Sequence, residues 1–277
     1  MTLTPWRPLC VLGIAACAAP KLSTKTSTPR VVTITATDYA FGAPDTIPAG
    51  LTTFRLLNPG REPHQAVIAG APDKTFPEIE RALVAAEPSM LDWLTFPVGA
   101  GAVGSGDSSI VTAEMPPGNY LVLCYIPSPD GKPHVMKGMY RRLVVVSAAP
   151  AAVGADEPKA DVTVTLSDYA FALSAPLSAG THTIRVENSG SQLHELTIER
   201  LEPGKTLADW QQWVADSMRG TPPTEPAGGV TGPTKGKVAW LTITLQPGNY
   251  LLNCYVPDVK DGMPHFMHGM VQEITVN

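Results

Sequence analysis

Two stretches of the chain combine cysteine, histidine and methionine at similar spacing. The first, CYIPSPDGKPHVMKGM, runs from Cys124 to Met139, and the second, CYVPDVKDGMPHFMHGM, runs from Cys254 to Met270. Thiolate, imidazole and thioether groups bind soft and borderline transition metals. Both stretches also contain turn residues between strand-like runs, which is typical of a hairpin. The pattern therefore indicates either a metal-binding loop present twice or a hairpin that carries soft side chains.

The whole chain is a tandem repeat. The segment TDYAFGAPDTIPAG at residues 37–50 matches SDYAFALSAPLSAG at residues 167–180, and 167 − 37 = 130. The same offset relates two pairs of candidate ligands, His64 with His194 and Cys124 with Cys254. A fixed offset over most of the length means that one structural unit occurs twice.

Each copy contains a histidine after an Asn-x-Gly turn, and then the cysteine, histidine and methionine of the opening stretches. Two imidazoles, one thiolate and one weak thioether form the ligand set of a blue-copper electron-transfer site. Soft sulfur suits Cu(I), and imidazole suits both oxidation states. We expect one copper ion per copy. The predicted ligands are His64, Cys124, His134 and Met139 in the first copy and His194, Cys254, His265 and Met270 in the second.

The remaining sequence predicts an all-β fold. Each copy opens with β-branched residues in alternation, RVVTITATDYAF or DVTVTLSDYAF, and continues with short runs that end at Asn-x-Gly turns. A capping-box pattern at Thr75 and Glu78, repeated at Thr206 and Asp209, predicts a short helical insert in each copy. Apolar residues at helical spacing in this insert indicate a face packed on the strands.

The motifs NPGREPH and NSGSQLH resemble the Asn-x-Gly-x-x-x-His signature of cupredoxins, and HVMKGM and HFMHGM resemble the end of their ligand loop. The resemblance covers residues 31–147 and 161–277. It implies two tandem cupredoxin-like Greek-key β-sandwich domains, each with a type 1 copper site at one end. Nine residues separate Cys124 from His134, more than in the familiar loop. The extra residues predict a turn that folds outward and returns the histidine to the cysteine.

The segments outside the predicted domains are an N-terminal leader, a tether and a linker. Residues 1–16 are typical of a secretory signal peptide, and IAAC resembles a lipobox that ends at Cys17, with a plain signal as the alternative. We expect lipidation at Cys17, a tether over residues 17–30 and a linker over residues 148–160. These features predict a protein of the periplasm or cell envelope, anchored by lipid and not by a transmembrane helix.

Charge bears on nucleic-acid binding, and the positions of the cysteines bear on disulfide formation. The formal net charge is −5 and no basic stripe is present, so the sequence does not predict nucleic-acid binding. Cys124 and Cys254 occupy the same position in two copies, and we expect each to be buried in its own domain and not to form a disulfide.

The leading functional hypothesis is a one-electron carrier that exposes His134 and His265 to redox protein partners. A copper storage or delivery protein, exchanging the metal with donors and acceptors, is a second hypothesis supported by the repeated Met136 and Met267. A metal-free sandwich with a binding or structural role is a third. The sequence has none of the His-x-His or His-Cys-His groupings of copper oxidases, so we predict that the chain is not an enzyme.

Overall fold

The computed structural model describes residues 1–2, 28–85, 93–148 and 155–277. The predicted signal peptide beyond its first two residues, Cys17, most of the tether and the centre of the linker lie outside these ranges. Helix α1 spans Phe76–Ala85 and helix α2 spans Leu207–Ala215. The strands of the first copy are β1 (Arg30–Thr37), β2 (Ala40–Gly42), β3 (Thr46–Pro48), β4 (Gly50–Leu57), β5 (His64–Ala71), β6 (Thr95–Val103), β7 (Ser108–Met115), β8 (Gly118–Leu123) and β9 (Tyr140–Val146). The strands of the second copy are β10 (Val162–Ser167), β11 (Ala170–Leu173), β12 (Gly180–Asn188), β13 (Leu196–Leu201), β14 (Thr224–Val230), β15 (Val238–Leu245), β16 (Gly248–Asn253) and β17 (Val271–Val276).

Local sequence explains these elements. Strands β1 and β10 alternate buried and less buried residues, because successive side chains of a strand point to opposite faces. Helix α2 begins at a capping box in which Thr206 accepts a hydrogen bond from the backbone N–H of Asp209, while the Asp209 carboxylate accepts one from the backbone N–H of Thr206. The helix buries Trp210 against Phe266 and Leu251. The two strand-rich copies thus carry a helix at the same place.

The strands form two sheets, and each sheet runs through both copies. One sheet has the order β11-β10-β12-β15-β7-β4-β1-β2, and the other has the order β17-β16-β13-β14-β6-β5-β8-β9-β3. Most neighbouring strands are antiparallel, but β1 with β4, β10 with β12 and β3 with β9 are parallel. A single apolar cluster of residues from both copies lies between the sheets. The prediction of an all-β fold is therefore confirmed, and each copy contributes one contiguous block of strands to each sheet.

Equivalent residues of the two copies pair with each other at the junction. In one sheet Val111 of β7 lies opposite Leu241 of β15, and in the other Ala100 of β6 lies opposite Val230 of β14. Since 241 − 111 and 230 − 100 both equal 130, the repeat offset, the copies are related by a pseudo-two-fold axis through this junction. The axis makes each copy cover the exposed strand edges of the other.

The second of these pairings depends on glycine. A Cβ atom on Gly101 of β6 lies only 2.6 Å from the backbone nitrogen of Gly229 of β14. Real Cβ atoms do not come so close to backbone, so the two strands can approach here only because Gly101 lacks a side chain. A Cβ on Gly229 would instead meet the carbonyl oxygen of Leu196 in its own copy, at 2.1 Å.

We therefore expect Gly101→Ala to lower the free energy of unfolding by about 1–3 kcal/mol, as overpacking does in a filled core. Denaturant titration followed by circular dichroism measures this change. Gly104→Ala is the control, because its Cβ meets only the end of the Asp107 side chain, at 3.3 Å. Equal stability of the two variants would contradict the close contact between the copies.

His182 has no counterpart histidine in the first copy and is buried in β12. One ring nitrogen faces the carboxylate of Asp161, and the other lies 2.8 Å from the carbonyl oxygen of Ser178. Both nitrogens therefore face acceptors. Burial alone lowers the pKa of His182, but the hydrogen bonds to Asp161 and Ser178 outweigh it and raise the pKa above its usual value.

Because the folded state raises the pKa of His182, its stabilising effect is complete below the unfolded value of about 6.5 and is lost as the pH rises through the folded value. Denaturant titrations between pH 5.5 and 8.5 should show this loss in the free energy of unfolding. Asp161→Asn should flatten the dependence, whereas Asp73→Asn on the exposed surface should leave it in place. An unchanged slope in Asp161→Asn would contradict the ion pair.

Candidate metal centres

Three predicted ligands of the first copy meet in a buried group, which we call the first centre: His64, Cys124 and His134. The Nδ1 atoms of His64 and His134 are 3.1 Å apart, and Cys124 Sγ lies 3.3 Å from His134 Nδ1. All three side chains are fully buried. The structure therefore brings together residues that are up to 70 positions apart in the sequence.

The second copy repeats this arrangement in the second centre: His194, Cys254 and His265. The two Nδ1 atoms are 3.0 Å apart, and Cys254 Sγ lies 3.4 Å from His265 Nδ1. These side chains are also fully buried. In each centre the two nitrogens and the sulfur lie within 4.8 Å of one another, as ligands of one ion do.

A carboxylate orients the first histidine of each centre. Asp38 Oδ1 lies 2.9 Å from His64 Nε2, and Asp168 Oδ1 lies 2.9 Å from His194 Nε2. A carboxylate only accepts hydrogen bonds, so Nε2 carries the proton and the Nδ1 lone pair points into the centre. Burial alone would raise the pKa of Asp38, but hydrogen bonds from His64 and from two backbone N–H groups hold it at about 2.

The Asn-x-Gly turn before His64 is held by its own side chain. The buried Asn58 amide donates to the carbonyl oxygens of Glu62, Val103 and Gly104, and its Oδ1 accepts from the backbone N–H of Gly60. Gly60 is required because a Cβ there lies 2.6 Å from Asp38 Oδ1 and 2.8 Å from His64 Nε2. The spacing of the motif therefore follows from the contact between carboxylate and imidazole.

The long loops after the cysteines return the second histidine to the centre. In the first copy the backbone bridges Pro127 and Pro133, and the N–H of His134 donates to the carbonyl of Ile126 at 2.9 Å. The second copy has the equivalent bridge between Pro257 and Pro264. The inserted residues form a closed hairpin on each side, as the sequence predicts, and each histidine then begins a one-turn 3-10 helix.

The predicted methionine ligands come at the ends of these loops, just after the 3-10 helices. Met139 and Met270 are fully buried and belong to the same apolar cluster as Cys124 and Cys254. The carbonyl of Met139 accepts a hydrogen bond from the N–H of Cys124 at 3.3 Å, and the N–H of Met139 donates to the carbonyl of His134. The methionine backbone is thereby tied to both other loop ligands.

The donor set fits copper. Burial and the neighbouring His194 lower the pKa of His265 to about 4, so this imidazole is neutral, and burial raises the pKa of the Cys124 thiol to about 11, so this thiol is protonated without metal. In the first centre both Nδ1 lone pairs face each other at 3.1 Å, and one thiol hydrogen can satisfy only one of them. A cation between them satisfies both, and donors about 2.0–2.3 Å from one ion lie about 3.1–3.7 Å apart. Two imidazoles and a thiolate, with a methionine beside them, are ligands of copper.

The prediction that the second histidines are exposed is wrong. In the first copy Glu62 Oε2 lies 2.9 Å from His134 Nε2, and the same carboxylate accepts a hydrogen bond from Tyr39 at 2.6 Å. The Tyr39 ring lies 4.9 Å from the His134 ring, and the Lys137 ammonium lies 4.6 Å from the Tyr39 ring centre. We call Tyr39, Glu62 and Lys137 the first cap.

The second cap, Tyr169, Gln192 and Asp258, has different chemistry. The carboxylate of Asp258 accepts hydrogen bonds from the Tyr169 hydroxyl and from the Gln192 amide, the latter at 2.8 Å. His265 Nε2 is buried without a hydrogen-bond partner, and Asp258 Oδ2 is 3.8 Å away. Both histidines are thus covered, but only His134 donates to a carboxylate.

The residues after the first histidines also differ. The backbone N–H of Glu195 lies 3.4 Å from Cys254 Sγ, and its carboxylate accepts a hydrogen bond from the N–H of Tyr255. In the first copy the backbone of Gln65 donates to Cys124 in the same way. Burial raises the pKa of Glu195 to about 7. A backbone hydrogen bond to the sulfur is thus present in both centres.

A third group of possible ligands, Asp258, Asp261 and His268, lies on the second loop. Hydrogen bonds from Tyr169, Gln192 and the backbone of Lys260 already engage the Asp258 carboxylate. Asp261 and His268 are exposed and pair with each other at 3.2 Å. Contacts within the second copy account for this group.

Sequence reasoning missed the carboxylates that hold the histidines. Asp38 and Asp168 belong to the segment DYAF, which occurs in both copies and was used only to align them. A charged residue kept at the end of an otherwise apolar strand was the available signal. Glu62 and Asp258 gave no signal, because each lies in a turn whose fold depends on residues far away in the sequence.

Comparison with known proteins gives matches only among solved structures. No family model matches the chain, and no curated protein matches it. Auracyanin A, a blue copper protein from Chloroflexus aurantiacus, is 21% identical over 42% of this chain and 98% of its own, with a TM-score of 0.30. An auracyanin from Roseiflexus castenholzii is 21% identical over 43% of this chain and 99% of its own, with a TM-score of 0.29.

Copper enzymes also match. The copper nitrite reductase of Nitrosomonas europaea is 15% identical over 91% of this chain and 94% of its own, with a TM-score of 0.27. A multicopper oxidase structure matches 91% of this chain at 14% identity. These findings overturn the prediction that the chain is not an enzyme, and we withdraw that exclusion. Among the described residues, no helix combines the length and the apolar character needed to cross a membrane.

The Asn58 turn provides a test of how the first centre is held. We expect Asn58→Ala to cost about 1–3 kcal/mol of unfolding free energy, because it leaves buried carbonyl groups and the Gly60 N–H without partners. We also expect copper affinity at the first centre to fall about 10–100-fold as His64 loses its position. Denaturant titration and competition with a copper chelator measure the two effects.

Asn119→Ala is the matched control, because the Asn119 amide donates only to the Lys74 carbonyl, away from the centre. Affinity at the first centre that falls equally in both variants would contradict the proposed role of Asn58.

Proposed function

We propose that the chain is a copper protein that transfers single electrons at two centres of the type 1 kind. The ligands are His64, Cys124 and His134 with Met139, and His194, Cys254 and His265 with Met270. The observation that carries this proposal is the convergence, in both copies, of two Nδ1 atoms and one Sγ within 4.8 Å of one another in a fully buried site, with the second histidine 3.0–3.4 Å from the other two donors. Copper bound there supplies a one-electron couple.

The contribution of the protein is rigidity and exclusion of water. The first histidine is fixed by a carboxylate, and the cysteine, the second histidine and the methionine are tied together by backbone hydrogen bonds. A site whose ligands cannot move changes shape little when its charge changes, which favours fast electron exchange. The caps keep water from the second histidines. These features are suited to outer-sphere transfer and leave the ligands little freedom to release the metal.

Loading the chain with Cu(II) and recording its visible spectrum tests the proposal. We expect an intense thiolate-to-copper band, of which Cys124→Ser and Cys254→Ser each remove about half and the double variant removes all. Because both thiols lie inside the centres, neither can serve as a control. Met136 is 67% exposed, and Met136→Leu should leave the band unchanged. Absence of the band from the copper-loaded chain would contradict the proposal.

Copper storage or delivery is the second candidate. Three exposed methionines on the ligand loops favour it, because thioethers bind Cu(I) reversibly: Met136, Met263 and Met267. Tight Cu(I) binding without the thiolate band, weakened by substitution of these methionines, would support this role over electron transfer.

The proposal also covers the partners of the protein, its location and its anchor. One-electron donors and acceptors are the partners that the first candidate requires, and copper donors and acceptors are those of the second. We place the protein in the periplasm or cell envelope, with a lipid on Cys17 as the anchor. Mass spectrometry of the mature protein tests the lipid, since it reports the mass and the position of the first residue.

A further inference from the structure

The first feature that sets the two centres apart is the group on the outer nitrogen of the second histidine. His134 Nε2 lies 2.9 Å from the Glu62 carboxylate, whereas His265 Nε2 has no hydrogen-bond partner. The repeat offset of 130 relates Glu62 to Gln192, whose amide group is neutral and donates to Asp258 at 2.8 Å. The first copy therefore carries a direct charge-assisted hydrogen bond that the second copy lacks.

This hydrogen bond acts on the reduction potential of the first centre. An imidazole that donates to a carboxylate is a more basic and electron-rich ligand. Such a ligand stabilises the more positive, oxidised state, so the reduction potential falls. Lys137 does not cancel the effect, because its ammonium lies 3.1 Å from Asp130 and 3.3 Å from the Tyr39 hydroxyl.

Other carboxylates near the centres do not repeat this hydrogen bond. Asp258 Oδ2 lies 3.8 Å from His265 Nε2, beyond hydrogen-bond distance, and already accepts hydrogen bonds from Tyr169 and Gln192. Asp38 and Asp168 bind the first histidines in the same way, at 2.9 Å in both copies. Glu195 adds a carboxyl group near Cys254, but it is held by the backbone N–H of Tyr255 and does not touch a ligand nitrogen. Of the carboxylates near the second histidines, Glu62 is the one in direct hydrogen-bond contact with the ring.

The second feature is a packed connection between the centres. Tyr125 follows Cys124, and Leu193 precedes His194; both pack against one apolar cluster of the first copy. Val135, next to His134, is a member of it. The members are Val67, Ala69, Ile79, Leu83, Leu94, Phe96, Leu121, Leu123 and Val135.

Strand pairing gives the scale of the separation. Ala66, two residues after His64, lies opposite Ala100, which lies opposite Val230, which in turn lies opposite Leu196, two residues after His194. Three strand spacings across and four residues along place the two histidines about 20 Å apart. The paired strands β6 and β14 lie between β5 and β13.

We propose that the two centres exchange electrons within one chain, from the first centre to the second, and that Glu62 sets this direction. One electron leaves the first centre, which is oxidised by one unit, and enters the second, which is reduced by one unit. No bond forms or breaks, and no proton moves. An external one-electron reductant supplies the first centre, and an external one-electron oxidant empties the second. The inference rests on the proposed function.

Reduction potentials test the direction. Cys254→Ser leaves the first centre with its thiolate, and Cys124→Ser leaves the second, so spectroelectrochemistry gives one potential for each. We expect the first centre to have the lower potential. Adding Glu62→Gln to Cys254→Ser should raise it by about 59 mV, a tenfold shift of a one-electron equilibrium. Glu80→Gln is the matched control, because Glu80 pairs with Arg142 on the surface of the same copy; it should leave the potential unchanged.

The intact chain provides a second measurement that does not depend on the cysteine variants. Its titration should show two waves, and Glu62→Gln should bring them closer together. Glu195→Gln reports the effect of the carboxyl group near Cys254, and it should leave the potential of the first centre unchanged. Equal potentials in the two centres, or no response to Glu62→Gln, would overturn the proposal.

Kinetics test the transfer itself. After rapid addition of one electron per chain, reduction of the second centre at the expense of the first should follow a first-order phase whose rate is independent of protein concentration. A rate proportional to protein concentration would show transfer between molecules and would overturn the proposal. If both centres show the thiolate band but exchange no electrons, this inference alone is wrong. If the bands are absent, the proposed function is wrong as well.

Discussion

The structure depends on holding two imidazole lone pairs against each other. Two Nδ1 lone pairs that face each other at 3.1 Å have no attraction of their own, and in the first centre a single thiol lies beside them. The carboxylate of Asp38 locks the proton of His64 on the far nitrogen, and the Asn58 turn locks the backbone. Burial completes the constraint, since water cannot enter to separate the rings. The fold stabilises an arrangement that a bound cation then makes favourable.

Many parts of this arrangement follow from the sequence. Alternating β-branched runs, Asn-x-Gly turns and an offset of 130 identify the strands and the two copies, because these features depend on neighbours in the chain. The order histidine, cysteine, histidine, present twice, also singles out the residues that meet in each centre. Local sequence patterns and their repetition are sufficient to identify both the strands and the residues of the two centres.

What the sequence could not show depends on contacts between distant residues. The shared sheets require Gly101 and Gly229 to face each other across the two copies, and glycine in a strand gives no sign of which backbone approaches it. The burial of His134 depends on Tyr39 and Glu62, which lie far from it in the chain and reach it only after folding. A turn residue such as Glu62 has the same local signature whether it faces solvent or a ligand.

Pairing of equivalent strands at the junction, Val111 with Leu241 and Ala100 with Val230, is the geometry of an isologous dimer whose subunits have been joined into one chain. In a dimer of identical subunits, a substitution near one site appears at the other as well, so the two sites stay alike. Fusion removes that symmetry while keeping the interface. Each half can then acquire its own charges around an unchanged scaffold, and the difference between Glu62 and Gln192 is a product of that freedom.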